Sequence, residues 1–295
     1  EMLRSLVGSE MCIRDRIITV AAAFPTTVAP IMQVGAVPVF VDIDIPSYNM
    51  DMSMLEKAYS NKTKAVFIAH SLGNPFNLKA AKEFCDSHNL WLIEDNCDGL
   101  GGTYELDGVT YKTGTIGDIG TSSFYPAHQM TMGEGGAVYS SNPLLHKIIR
   151  SMRDWGRECV CTGGQDNLCG HRFDGQFGTL PAGYDHKYVY SHLGYNLKVT
   201  DMQAAIGAAQ LKKLPGFVKA RQEHWDYLRA GLDDMKDYYI LPEKEKSSEP
   251  CWFGFILTVK PESGKNRNEI VKFLEDNNIQ TRNLFAGNIT RHPCF

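Results

Sequence analysis

No lysine lies between Lys112 and Lys147 in this 295-residue chain. The gap spans residues 122–140, SSFYPAHQMTMGEGGAVYS, which read as strand, tight Gly-rich loop and strand. Loops of this kind often present a functional side chain. The residue in that place is His128, which cannot hold a carbonyl compound as a stable imine but can move protons near neutral pH. A basic tract is also lacking. Lys+Arg 30 against Asp+Glu 34 gives a net charge of −4, so nothing points to nucleic acid or to an anionic membrane surface.

A clean membrane span is missing too. Residues 17–41, IITVAAAFPTTVAPIMQVGAVPVFV, carry no charge, yet Pro25, Pro30 and Pro38 with Thr26, Thr27, Gln33 and Gly35 argue against a spanning helix. The run predicts a buried strand, a helix opened by Pro25, and a second buried strand ending at Asp42. The first sixteen residues, EMLRSLVGSEMCIRDR, lack the long apolar core and cleavage site of a signal peptide. They fit nothing after them and are expected to be a non-native leader resembling a translated sequencing adaptor. The end, NITRHPCF, is abrupt, and a fragment truncated at both ends is expected. Without a secretion signal the reading is cytoplasmic. The eight cysteines then point to metal or catalysis before disulfides, with Cys85 and Cys251 expected in the core.

At 43 % hydrophobic the chain can bury a large core. Strand and helix patterns alternate through AVPVFVDID, MSMLEKAYS, KAVFIAH, LKAAKEFCDSHN, LWLIEDN, GDIGTSSFY, GGAVYSS and NPLLHKIIRSMRDWG. That succession predicts an α/β fold with a parallel-rich sheet between helices. The large domain is expected over residues 17–236. An aperiodic loop at 157–196, rich in Gly, Cys, Tyr and His, interrupts it and is too long to be an ordinary connection. Two helices follow over 199–235. WFGFILTV, NRNEIVKFLEDNN and IQTRNL read as strand, helix and strand, opening a small domain at 237–295.

In open α/β sheets ligands sit beyond the carboxyl ends of the strands. LWLIEDNCDGLG is expected to deliver Glu94, Asp95, Asn96, Cys97 and Asp98 there. Alone, an acid ending an apolar strand is as readily a cap as a ligand. EDNCDGLGG, GDIGTSSFYPAHQMTMGEGGAVYS and GYNLKVTDMQAAIGAAQ, however, stand in the order and pattern of the sugar aminotransferase family of fold type I pyridoxal-phosphate enzymes, which the chain resembles from about residue 17 onward. The resemblance implies that Asp95 pairs with the cofactor's pyridine nitrogen and Ser123 binds its phosphate. It places Phe24 over the ring, and Asn196 at the phosphate of a partner subunit in a homodimer. It gives Asp98 and Tyr125 as substrate or proton-relay candidates, each as readily a local hydrogen-bonding residue.

Ordinary members carry a lysine where this chain has His128. The resemblance therefore implies a noncovalently held amine form, pyridoxamine 5′-phosphate (PMP), and elimination rather than amino transfer; a relative that lost its activity with its lysine is the bland alternative. Two branches use this histidine. One is a GDP-linked sugar dehydratase without iron. The other is a CDP-linked 4-keto-6-deoxyhexose 3-dehydratase with a [2Fe–2S] cluster, reduced by a separate NAD(P)H-dependent flavin/iron–sulfur reductase and serving 3,6-dideoxyhexose and O-antigen synthesis. The second is marked by a distant Cys, then C-x-C, seven residues and Cys, matched by Cys97, Cys159, Cys161 and Cys169. Zinc and free thiols remain alternatives, although zinc prefers wider clips. With an extended chain, Asp95 and Cys97 would point to one side about 7 Å apart, setting a cluster near the ring. The runners-up are the GDP-linked branch, an ordinary transaminase and an inactive zinc-binding scaffold.

Overall fold

A computed structural model describes residues 15–161 and 164–295. The expected leader lies, up to residue 14, outside the described residues. Asp15 and Arg16 already belong to the fold, for the buried Asp15 accepts from the Val37 amide at 2.7 Å and Arg16 opens the first strand.

The charge-free run folds as its prolines direct. β1 (Arg16–Val20) is almost wholly buried, as a parallel strand covered on both faces must be. α1 (Pro25–Gln33) begins at Pro25, whose fixed φ suits the first helical position. It keeps Pro30 inside and turns Thr27, Val28 and Ile31 to the core. β2 (Val37–Val41) then pairs with β1 in parallel. β3 (Thr63–Ala69) lies on the other side of β1. α2 (Leu78–Ser87) is capped by Asn77, whose side chain accepts from the Ala80 amide. It buries Leu78, Ala81, Phe84 and Cys85 at helical spacing. β4 (Trp91–Asp95) follows, then the hairpin β5 (Thr103–Leu106) and β6 (Val109–Lys112), then β7 (Ile119–Ser123) and β8 (Gly136–Tyr139).

The main sheet has six strands in the order β8-β7-β4-β3-β1-β2. The pairs β2–β1, β1–β3, β3–β4 and β4–β7 are parallel. The chain leaves β1 toward β2 and leaves β3 toward β4. That reversal is a topological switch point, where the crevice of an open α/β sheet forms. Ile18, Val66, Ile68, Leu92 and Phe76 fill the core beneath it. The α/β, parallel-rich expectation holds.

α3 (Pro143–Arg153) starts with Asn142 as cap and Pro143 next. α4 (Asp201–Leu211) and α5 (Leu214–Gly231) give the two expected helices, and α6 (Arg267–Asp276) the last. Two expected strands fail. Of WFGFILTV only Thr258–Val259 is strand, paired with Tyr239–Ile240. Trp252 takes a positive φ of 48° and stacks on Trp225 at 4.1 Å, so its apolar side chain docks on α5 rather than alternating in a sheet. IQTRNL is irregular; Thr281 there donates, by amide and hydroxyl, to Glu275 of α6. Tyr139–Asp201 falls in one compact unit. The described residues 15–138 and Met202–Phe295 fall in the other. No helix among the described residues is long and apolar enough to cross a membrane.

Candidate active site at the sheet edge

Asp95 ends β4 beside Ala69 of β3 and Thr121 of β7. Its carboxylate is buried. It accepts from the Thr27 hydroxyl of α1 at 2.8 Å, from the Cys97 amide at 3.2 Å and, at 3.5 Å, from the Thr121 hydroxyl. A carboxylate offers about four lone-pair sites, so it retains capacity for one further donor. The Cys97 bond is an Asx turn, and it corrects the extended geometry expected from Asp95 to Cys97. The chain turns at Asp95 because the carboxylate bonds its own backbone two residues on. Cys97 is left half-buried, and burial, then the charges of Asp95 and Asp98, push its thiol up.

Glu94, one residue earlier, faces the other way and is fully buried. It accepts from His70 Nε2 at 3.0 Å and from the amides of Gly114, Ile116 and Gly117 at 2.7, 2.8 and 2.5 Å. Burial alone would raise its carboxyl; His70 and the glycine amides outweigh that and hold it low. The pair pins the turn that feeds β7, and His70 lies flat on Phe76 at 4.7 Å. Its only sequence sign is a polar residue ending each of two neighbouring apolar strands.

Beyond β7 the loop closes on itself. The Phe124 amide donates to Gly135 O and the Met132 amide to Phe124 O, both at 2.9 Å. Ser123 Oγ accepts from the Tyr125 amide at 3.2 Å and keeps its own proton to donate. His128 stands with Nδ1 3.4 Å from Asp98 Oδ1 and forms no well-aligned hydrogen bond there. Burial pushes the Asp98 carboxyl up, while His128 and the Leu72 amide pull against that. Around His128 lie the Phe253 ring at 5.2 Å and the half-exposed Tyr125 ring at 6.2 Å. Phe24, at the mouth between β1 and α1, is half exposed and meets Phe285 edge-on at 6.0 Å. Asp95 is bonded into this edge and Asp98 and His128 face each other along it, with Ser123 and Tyr125 on the His128 loop and Phe24 at the head of the helix carrying Thr27. Thr27, Phe253 and Gln129 had no distinguishing signal of their own.

The other unit holds Asn196 and three of the four candidate cysteines. Asn196 bridges to Asp154, and its Oδ1 accepts from Lys198 Nζ at 2.7 Å. Lys198 also reaches Asp154 at 2.8 Å and lies over the Trp155 ring. Gly156 has φ +83°, and a Cβ there would stand 1.9 Å from His192 O, so only glycine fits. Cys159, Cys161 and Cys169 line one small cavity with Asp166, Arg172, His186 and Lys187. Cys161 Sγ accepts from the Leu168 amide and Cys169 Sγ from the His171 amide, each at 3.4 Å. Among the described residues no group of three or more His, Cys, Asp or Glu side chains is placed to hold a metal ion. Cys159, Cys161 and Cys169 share that cavity without being assembled as a metal-binding group.

The sheet with its switch point and an acid at the strand end is the α/β fold of the pyridoxal-phosphate transferase type, as the match to solved structures of that fold shows. The chain belongs to the DegT/DnrJ/EryC1/StrS aminotransferase family, whose model matches residues 3–295. It is 58 % identical over 281 residues to the lipopolysaccharide biosynthesis protein RfbH of Salmonella typhimurium, covering 95 % of this chain and 63 % of that protein. It is 50 % identical over 281 residues to dTDP-4-dehydro-2,6-dideoxy-D-glucose 3-dehydratase of Saccharopolyspora spinosa, covering 95 % and 60 %. The solved E. coli GDP-4-keto-6-deoxy-D-mannose-3-dehydratase with bound hydrated PLP superposes with a TM-score of 0.81 at 28 % identity, covering 99 % of this chain and 72 % of that one. The chain spans about three fifths of the length of the two curated relatives. The family resemblance read from the motifs is borne out.

Proposed function

We propose that this chain carries the cofactor and proton-transfer site of a PMP-dependent enzyme that removes the C-3 hydroxyl of a nucleotide-linked 4-keto-6-deoxyhexose, in deoxysugar synthesis for lipopolysaccharide. One observation carries the reading: His128, in a loop without lysine, stands against Asp98 at the edge that also ends in Asp95. The names of the 3-dehydratase relatives support it.

The residues fit the cofactor. Asp95 has room for one more donor, which suits a protonated ring nitrogen, and Thr27 with the Cys97 amide holds it in place. Ser123 Oγ, fixed by the Tyr125 amide, has a proton to donate to a phosphate oxygen. Phe24 offers an exposed face for the ring. When bound, the cofactor supplies a primary amine for the C-4 ketone and a ring that accepts an electron pair. With the cofactor bound, His128 would be the group that takes a proton from the cofactor's methylene carbon and hands it to the departing C-3 hydroxyl. Asp98 faces Nδ1 at 3.4 Å, which would leave Nε2 as the nitrogen that exchanges protons. Tyr125 flanks the same space as a substrate contact.

A homodimer completed by Asn196, a cytoplasmic location and a CDP carrier belong to the same proposal. The exposed Tyr190, Leu193, Tyr195 and Leu197 around Asn196 support the dimer. The [2Fe–2S] cluster and its separate reductase rest on cysteine spacing and on the cavity shared by three of the thiols; no step is routed through them. The test is turnover of a 4-keto-6-deoxyhexose nucleotide labelled with ¹⁸O at C-3, in the presence of PMP. Release of the label into water, lost in His128→Asn, supports the reading. Accumulation of a 4-amino sugar with the label retained makes the protein a transaminase instead.

A further inference from the structure

Three chain segments meet behind His128, and one side chain ties them. Gln129 follows His128 directly and is only 2 % exposed. Its Nε2 donates to the main-chain carbonyl of Asp98 and, at 3.2 Å, to Cys251 Sγ. Cys251 is fully buried, and its thiol in turn donates to that same Asp98 carbonyl at 3.1 Å. Burial pushes this thiol up to about 12, so it stays protonated as a donor. The amide of Gln129 must face Asp98 nitrogen-first, since its oxygen would oppose a carbonyl. Gly73 closes the back. With φ +79°, a Cβ there would stand 2.8 Å from both Asp98 O and Phe253 N. Gln129 thus fastens the residue beside His128 to the backbone of Asp98, and Cys251 fastens both to the segment that carries Phe253.

We infer that Gln129 and Cys251 are positioning residues, a buried latch that holds His128 against Asp98. The inference rests on the proton-transfer role given to His128 above. Neither residue touches substrate or cofactor; they act through the placement of the imidazole. The expected result of releasing the latch is a His128 that is more accessible and less well aimed, in a chain that otherwise stays folded.

The experiment has two readouts on the full chain. The first is the rate of diethyl pyrocarbonate modification of His128, mapped by mass spectrometry against the exposed His146. It needs neither cofactor nor turnover. In Gln129→Leu and Cys251→Ala this rate should rise at least about fivefold, the scale of one lost hydrogen bond, with His146 unchanged. Cys251→Ser keeps a donor to Asp98 O and should restore the wild-type rate. The second readout is kinetic: kcat should fall about 10- to 100-fold in the two latch variants, as a small misplacement of a reacting group costs, with KM unchanged. If Gln129→Leu does not fold, the Ala and Ser variants of Cys251 decide alone. Unchanged His128 reactivity overturns the latch, and raised reactivity with full turnover overturns its positioning role. Full turnover of His128→Asn would instead sink the proton-transfer reading, and the modification rates would still judge the latch.

Discussion

Asp95 is placed by strands on both sides, and Cys161 by one backbone amide at 3.4 Å. The contrast runs through the molecule. At the sheet edge Asp95 hangs from a ladder register on both sides, and the buried Glu94 carboxylate anchors the turn that feeds β7. In the Cys-rich loop, position comes from bridges one residue long and from exposed ion pairs such as Lys147–Glu158. The Asp95 carboxylate is held without a ligand, by the Thr27 hydroxyl and the Cys97 amide. Thiolates that take up a metal can be gathered by the metal itself, and the loop, as placed, forms no such group. Its Arg172–Asp185 pair, which draws Asp185 down to about 2, makes two hydrogen bonds at 3.0 and 2.7 Å and is the firmest tie within it.

The largest expected effect breaks the edge at its chemistry. His128→Asn keeps the shape of the loop and removes the proton exchange, so turnover should fall about 10²- to 10⁴-fold, the range of general acid–base catalysis. Cofactor affinity and melting temperature should remain. Next comes the anchor. Glu94→Ala leaves His70 and three amides buried without their acceptor, and breaking a buried pair in this way costs about 3–5 kcal/mol, measured by denaturant unfolding. The sign of its pH dependence follows from the lowered Glu94 carboxyl. Its contribution is complete above the ordinary carboxylate range and is lost as pH falls through the folded-state value. In Glu94→Gln that part of the acid slope should disappear.

The residues readable in advance were those whose role is written in a pattern of two or three neighbours. The charge-free run broken by Pro25 gave strand, helix and strand, and the acid ending LWLIED sat on the expected edge. His128 was singled out because no amine stands around it, and the structure places it 3.4 Å from Asp98. Thr27, His70 and Gln129 were not, because each acts through a partner 24 to 68 residues away, a separation that no local period records. WFGFILTV misled for a related reason: an apolar run marks burial, and Trp252 is buried against a helix instead of in a sheet.

Asp95→Asn sharpens the comparison from the cofactor side. The Cys97 amide can keep the one amide oxygen and the Thr27 hydroxyl can turn to accept from the new amino group, so the fold should stay, while PMP affinity should drop about 10- to 100-fold for the loss of a charged hydrogen bond. The smallest effect belongs to the loop. Cys159→Ser, Cys161→Ser and Cys169→Ser should each change the unfolding free energy of the metal-free chain by less than about 0.5 kcal/mol, as exposed or half-exposed substitutions do. Iron bound after anaerobic reconstitution should fall in each if the cluster proposal holds. Iron uptake indifferent to all three removes it and leaves the sheet-edge chemistry untouched.

The central claim is that a histidine, and no amine, serves this cofactor site. The direct measurement is borohydride treatment of the cofactor-loaded chain, followed by denaturation and mass analysis of its peptides. The account predicts that one equivalent of pyridoxamine phosphate leaves with the small molecules and that the peptide spanning His128 keeps its unmodified mass. A reduced cofactor adduct on any lysine of this chain would contradict it.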